Sequence, residues 1–225
     1  MNTANEQMTA AALHMESHTD HQRFPAVDSQ CTVLADIYKD DINIAIWQRT
    51  LSDNIYVDAN ALVEQGIQLQ TQLSRQHAAE ELGAVFALET AAALRHDVAE
   101  LVEMFCCLFG LERAGLRLIS LYDAMCPAFH FDRIPCRLVT TYCGMATEWL
   151  THESTVSAPA FADVDLDMSY ERVSFNDAAI QSLQEGDVAI LKGSGWQGNE
   201  RAGLVHRSPP VRADESRLLL TLDIV

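Results

Sequence analysis

A histidine and an aspartate two residues apart, in Met125-Cys126-Pro127-Ala128-Phe129-His130-Phe131-Asp132, offer an imidazole and a carboxylate to a shared partner. In an extended segment residues i and i+2 point to the same side, so His130 and Asp132 would lie side by side. That is two-thirds of the two-histidine, one-carboxylate set that grips a divalent metal on one face. The third ligand should be a histidine from a strand far along the chain. His206 fits, in Gly203-Leu204-Val205-His206-Arg207-Ser208, after the turn-rich stretch Gly193 to Gly198. Arg217 follows His206 by eleven positions and opens the last predicted strand. Alternate residues of that strand should face the interior, so its guanidinium can point inward without bending the chain; a surface pair with Asp214 or Glu215 is the competing reading.

A second ligand set competes for the same ion. Cys126, His130, Asp132 and Cys136 read C-x3-H-x-D-x3-C, and thiolate with imidazole suits Zn(II) better than Fe(II). Pro127 and Pro135 would permit the loop that such a set needs. The preferred reading of Cys126 and Cys136 is thiols in or near the core. No C-x-x-C pair occurs among the six cysteines, which removes support for a zinc ribbon or a thioredoxin-type redox site. Cys106 and Cys107 lie in an apolar helical stretch and read as small buried hydrophobes. His14, His18 and His21 would share one helix face and could hold a metal, but a solvated tail is the better reading. Asp163, Asp165 and Asp167 lack the glycine and closing glutamate of a calcium loop. Gly193-Ser194-Gly195 follows its lysine, so it is no phosphate loop.

The elements that must position these groups change character midway. Residues 1–23 read as a flexible polar tail. Ile42, Ile44 and Ile46 alternate, so a β-pattern occupies Cys31 to Arg49. Residues 59 to 76 read as a helix on the loose stripe Leu62, Ile67 and Leu69, and a longer helix runs from about Thr90 to Leu108, with Gly110 as its stop. Behind it come predicted strands at Leu116 to Tyr122, Cys136 to Tyr142, Val188 to Leu191, Gly203 to Val205 and Arg217 to Val225, separated by glycine and proline turns. The class is α+β. A helical layer over about 24–112 packs on a jelly-roll, cupin-like core over about 113–225, and 24–225 forms a single domain.

Fifteen basic residues against 32 acidic ones give a net charge of −17, which sets aside nucleic acid and anionic membranes as general partners. No apolar run approaches the roughly 20 residues needed to span a bilayer. The N-terminus carries neither a basic nor an apolar signal region, so reduced thiols and a cytoplasmic location are expected.

H-x-D, a distant histidine and an arginine about ten residues later resemble the iron- and 2-oxoglutarate-dependent dioxygenases over about residues 115 to 225. The resemblance implies a double-stranded β-helix, Fe(II) on His130, Asp132 and His206, and 2-oxoglutarate held at its distal carboxylate by Arg217. Nearly the whole chain also resembles a bacterial family known as domain of unknown function 1826. It does so through Leu121-Tyr122-Asp123, His130-Phe131-Asp132-Arg133, Arg137-Leu138-Val139-Thr140-Thr141-Tyr142, Thr147-Glu148-Trp149-Leu150, Leu191-Lys192-Gly193 and Gly203-Leu204-Val205-His206-Arg207-Ser208-Pro209. That resemblance implies a link to metal homeostasis through zinc-limitation genes.

The leading expectation is a non-haem Fe(II), 2-oxoglutarate-dependent oxygenase. A zinc-binding accessory protein without turnover is the alternative, and a jelly roll serving only as an interaction module is the third. Titration with Zn(II) and Fe(II) separates the first two. On the facial-triad reading Cys126→Ser and Cys136→Ser leave metal affinity nearly unchanged while His130→Ala abolishes it, and thiolate ligation reverses that order.

Overall fold

The protein was analysed as a computed structural model, which describes residues 22–85, 90–156, 179–210 and 215–225. The expectations for His14, His18, His21 and the acidic triplet at 163–167 lie outside these residues.

Among the described residues, ten strands form a mixed α/β structure dominated by one large sheet. They are β1 Phe24–Asp28, β2 Ile42–Trp47, β3 Gln68–Ser74, β4 Arg113–Leu121, β5 Cys136–Cys143, β6 Glu148–Leu150, β7 Ile180–Ser182, β8 Val188–Lys192, β9 His206–Arg207 and β10 Arg217–Ile224. The helices are α1 Asp53–Glu64, α2 Ala78–Gly83, α3 Ala92–Phe109 and α4 His152–Val156, with a 3-10 helix at Cys31–Tyr38. The large sheet has the order β1-β2-β8-β5-β10-β4-β3, antiparallel except for the β1–β2 pair. A smaller antiparallel sheet has the order β7-β6-β9.

Strand periodicity assigns the two faces of the large sheet. Leu116 and Leu118 of β4, Leu138 of β5 and Leu218, Leu220 and Leu222 of β10 pack with Leu62 of α1 and Leu94, Val98, Leu101 and Phe105 of α3. On the opposite face Ile44, Ile46, Val139, Ala189 and Leu191 pack with Trp149 of β6 and with Leu183 and Leu204. Each buried Val, Leu, Ile or Phe among them contributes roughly 1.5–3 kcal/mol. β10 is covered on both sides, which is why Arg-Leu-Leu-Leu-Thr-Leu reads as a nearly continuous apolar run.

The helix expected near Thr90 to Leu108 is α3. Gly110 ends it in the left-handed region at φ 66°. Its orphan amides at Ala93 and Leu94 donate to the Asp58 carboxylate of α1 at 2.9 and 3.1 Å, a cap supplied by another helix. The helix expected over 59–76 divides in two. Gly66, at φ 64°, stops the helical turn, and the Ile67 amide closes back on the Leu62 carbonyl at 3.2 Å. From there Gln68, Gln70 and Gln72 alternate with Leu69, Thr71 and Leu73 as edge strand β3. The start of the predicted Cys31–Arg49 β-segment is the 3-10 helix, with β2 behind it. Residues 24–112 therefore do not form a helical layer. They add β1, β2 and β3 to the large sheet besides α1 to α3.

A buried polar tie holds the helices to the sheet. Arg49, after β2, donates to both oxygens of Asp97 in α3, the Nη2 bond being 2.9 Å. The Tyr142 hydroxyl of β5 donates to the same carboxylate at 2.6 Å. Asp97→Ala strands the buried guanidinium and hydroxyl together, so urea unfolding should show a loss of about 3–5 kcal/mol. Tyr142→Phe removes one donor while Arg49 keeps its partner and should lose about 1–2 kcal/mol.

Candidate metal centre

His130 and His206 come from opposite ends of the C-terminal half and meet as directly opposed residues of an antiparallel bridge. The His130 amide donates to the His206 carbonyl at 3.0 Å, and the His206 amide returns the bond at 2.8 Å. Opposed residues in such a pair project to the same face, and the two imidazole centroids lie 4.6 Å apart. Asp132, two residues beyond His130, projects to that face as well. Phe129 and Phe131 take the other face, where Phe129 packs with Leu150 and Val205 and Phe131 lies against that cluster. The alternation read from the sequence thus separates ligand-type side chains from apolar ones.

One donor atom each from His130, Asp132 and His206 lies within 4.8 Å of the others. The His130 Nδ1 is 3.0 Å from the Ala128 carbonyl and the His206 Nδ1 is 3.1 Å from the Leu204 carbonyl. A carbonyl only accepts, so each Nδ1 carries the proton and each Nε2 keeps a free lone pair. This is the arrangement in which a histidine binds a metal through Nε2. Burial pulls the His206 pKa down, against the pull of the Asp132 carboxylate and with the His130 ring adding to the fall, which favours the neutral ring. The 3.8 Å approach of His206 Nε2 to Asp132 Oδ2 is then no ion pair. It is two lone-pair donors facing one space, and a shift of under roughly 1 Å brings them to adjacent corners around one ion. The donor set therefore fits a divalent metal of the Fe(II) class.

The cysteines fall elsewhere. Cys136 opens β5 and points to the helix side of the large sheet, where it joins the apolar core. Its neighbour Arg137 points the other way, toward Asp132. Burial pushes the Cys136 thiol up to about 12, which keeps it protonated and a poor ligand. Cys126 is exposed, and neither sulfur belongs to the His130, Asp132, His206 group. The C-x3-H-x-D-x3-C zinc set is not favoured: strand alternation turns Cys136 to the face away from Asp132.

Two further supports have no signature in the sequence. Arg137 Nη1 donates to Asp132 Oδ2 at 3.0 Å, and its Nε and Nη2 hold Asp223 of β10 at 2.7 and 3.1 Å. Burial would lower the Arg137 pKa, but the hydrogen bonds it donates to Asp223 and the charges of both carboxylates hold it above its ordinary value. The other support is the strap Gly193-Ser194-Gly195. The Gly193 amide donates to the Pro135 carbonyl at 2.9 Å, Ser194 to Asp132 at 2.9 Å and Gly195 to Ile134 at 3.2 Å. A β-carbon on Gly193 would run into the Ile134 carbonyl oxygen and lie 2.7 Å from that of Asp132. The glycines are there because two backbones touch.

Arg217 lies on the same face of β10 as Leu219, Thr221 and Asp223, opposite to Leu218, Leu220 and Leu222. It is 1% exposed. Its Nη2 reaches Thr141 Oγ1 at 3.5 Å, while Nε and Nη1 have no hydrogen-bond partner among the described residues. Desolvation lowers its pKa to about 10, against the charges of Cys143 and Glu148, so the guanidinium stays charged at pH 7. A buried cation with two idle donors is costly unless an anion comes to meet it. Glu215 forms no ion pair with it, and Asp214 lies outside the described residues.

A family model described as "Protein of unknown function (DUF1826)" matches residues 28–223. No curated protein matches the chain. Among solved structures the chain is similar to a protein assigned to the 2OG-Fe(II) oxygenase family from Caulobacter crescentus, with TM-score 0.46, 12% identity and coverage of 90% of this chain and 86% of that one. It is similar also to a Pseudomonas putida prolyl-4-hydroxylase, at TM-score 0.44, 12% identity and coverage of 85% and 96%. A rice dioxygenase for auxin oxidation gives 0.45, 13%, 81% and 73%. Similarity at this level carries no argument about activity, so the chemistry has to come from the site. No helix among the described residues is long and apolar enough to cross a membrane.

Gly193→Ala should displace the 132–135 loop and weaken divalent-metal binding in an equilibrium titration. Gly198→Ala, at φ 80° with nothing within 4 Å of the new β-carbon, should lose about 1 kcal/mol of stability to backbone strain and leave metal affinity unchanged.

Proposed function

The chain belongs to the DUF1826 family of proteins of unknown function, and we propose that it is a non-haem Fe(II)- and 2-oxoglutarate-dependent oxygenase. The observation that supports this reading most is the buried Arg217 guanidinium, whose Nε and Nη1 meet no hydrogen-bond partner among the described residues, on the sheet face shared by Asp223 and the Arg137 that holds Asp132. A dicarboxylate bound to a metal through one end needs a fixed cation at the other. Arg217 has the charge, the fork geometry and the vacant hydrogen-bonding positions for that end.

In this reading His130 and His206 would hold the metal through Nε2 and Asp132 would hold it through a carboxylate oxygen. Iron with 2-oxoglutarate supplies the oxidising power for attack on a substrate C–H bond. The chain's own work is positional. The two Nδ1–H bonds fix the imidazole planes, the glycine strap holds the Asp132 backbone, and Thr141 steadies the Arg217 fork. Val139, Ala189, Leu191 and Trp149, packed between the two sheets, exclude water on that side. The four-strand run β8-β5-β10-β4, faced by β7-β6-β9 and the His130 segment, is read here as a double-stranded β-helix within a single domain spanning 24–225. No contact of Cys126 or Cys136 favours the zinc alternative.

Calorimetric titration of 2-oxoglutarate into the Mn(II)-loaded protein tests the assignment. The wild type binds 2-oxoglutarate. Arg217→Leu loses that binding and keeps its metal affinity, because Arg217 is no ligand. A metal-loaded wild type that does not bind 2-oxoglutarate overturns the oxygenase reading.

A further inference from the structure

Arg137 has three donors in use on two carboxylates that belong to different elements. We infer that Arg137 is the positioning residue for the Asp132 carboxylate, and that Asp223 acts on the metal centre only by orienting Arg137. The inference rests on the reading of His130, Asp132 and His206 as metal ligands, and it goes beyond that reading to a relay reaching the last strand.

The register of the sheet builds the relay. Arg137 and Asp223 are direct cross-strand partners in the β5–β10 pair, so their side chains share a face. Asp223 takes Nε and Nη2 as a two-pronged pair, at 2.7 and 3.1 Å. Two parallel bonds fix the plane of a guanidinium as well as its position. The remaining nitrogen, Nη1, is then held in the same plane, and one of its N–H bonds meets Asp132 Oδ2, 3.0 Å away. That oxygen is the one 3.8 Å from His206 Nε2. Asp132 itself lies in the loop between β4 and β5, where no strand ladder fixes its side chain. The strap at 193–195 secures its backbone, and Arg137 secures its carboxylate.

A staple between β5 and β10 would need only the Arg137–Asp223 pair. The third bond, to a loop carboxylate that faces two histidines, does nothing for the sheet. A lysine could not replace the arrangement, because one ammonium on a flexible stem cannot fix a plane against Asp223 and aim a separate donor at Asp132. Groups that orient metal ligands in this way typically change metal affinity 10–100-fold when removed.

Co(II) titration followed by its visible absorption tests the relay in the full chain. The variants are Arg137→Gln, Arg137→Lys, Asp223→Asn and the double variant Arg137→Gln/Asp223→Asn, each checked for fold by thermal melting. Arg137→Gln should weaken Co(II) binding about 10–100-fold and alter the absorption band, since the carboxylate is no longer held. Arg137→Lys should recover part of the loss. Asp223→Asn should also weaken binding, and the double variant should be no weaker than Arg137→Gln alone, because Asp223 has no path to the metal except through Arg137. Melting temperatures that fall while Co(II) affinity and spectrum stay at wild-type values would reduce Arg137 to a strand staple and overturn the inference. Additive losses in the double variant would overturn the role given to Asp223. If Arg137→Gln does not fold, Arg137→Lys replaces it, alone and combined with Asp223→Asn, and the same two readings decide the matter. A wild type that binds no Co(II) overturns the metal reading itself, an outcome distinct from the others because it appears before any variant is compared.

Discussion

Everything in the candidate centre depends on two backbone hydrogen bonds, those exchanged between His130 and His206. They join a loop that follows β4 to a two-residue strand near the end of the chain. Because the residues are directly opposed, the bond pair also sets the direction of both side chains. The bridge is short and could not hold by itself. It is flanked by β6, whose Trp149 pairs with His206 from the other side, and backed by Phe129, Leu150 and Val205 on the face away from the ligands. The apolar cluster supplies the burial energy and the hydrogen bonds supply the geometry. Neither could give the site alone, since burial has no direction and an isolated bridge has little stability.

The centre's electrostatics follow from strand alternation in an acidic protein. With a net charge of −17, cations are scarce, and three of the fifteen basic residues sit at decisive places on or beside the large sheet. Arg49 is consumed by Asp97 and joins the helices to the sheet. Arg137 is consumed by two carboxylates and links the loop ligand to β10. Arg217 is buried and charged, and its Nε and Nη1 meet no hydrogen-bond partner among the described residues. Burying a guanidinium opposes folding unless its hydrogen bonds are met. The first two are met by the protein itself, and the third is matched by a dianion in the oxygenase reading. Arg217 and Asp223 lie on one face of one strand, so β10 carries both the buried guanidinium and the carboxylate that pairs with Arg137.

The sequence by itself settled what depends on local order. The alternation of Ile42, Ile44 and Ile46, the apolar run of β10, the long helix ended by Gly110, and the common side of His130 and Asp132 all follow from periods of 2 or 3.6 and from turn chemistry. It also indicated His206, because the type of the residue and its turn-and-strand surroundings were visible. Tertiary structure decided what depends on partners. Gln68 to Ser74 became a strand because β4 was there to pair with it, although its leucines also fitted a loose helical stripe. Cys136 and Arg137, adjacent in the chain, went to opposite faces of a sheet whose two sides are distinguished only by what packs on them. Arg137 found Asp223 through the register of β5 on β10, and Gly193 proved necessary because a second backbone lies against it. Periodicity is a property of neighbours along the chain, whereas register and close approach belong to segments far apart in sequence. Those are fixed only when the whole sheet closes.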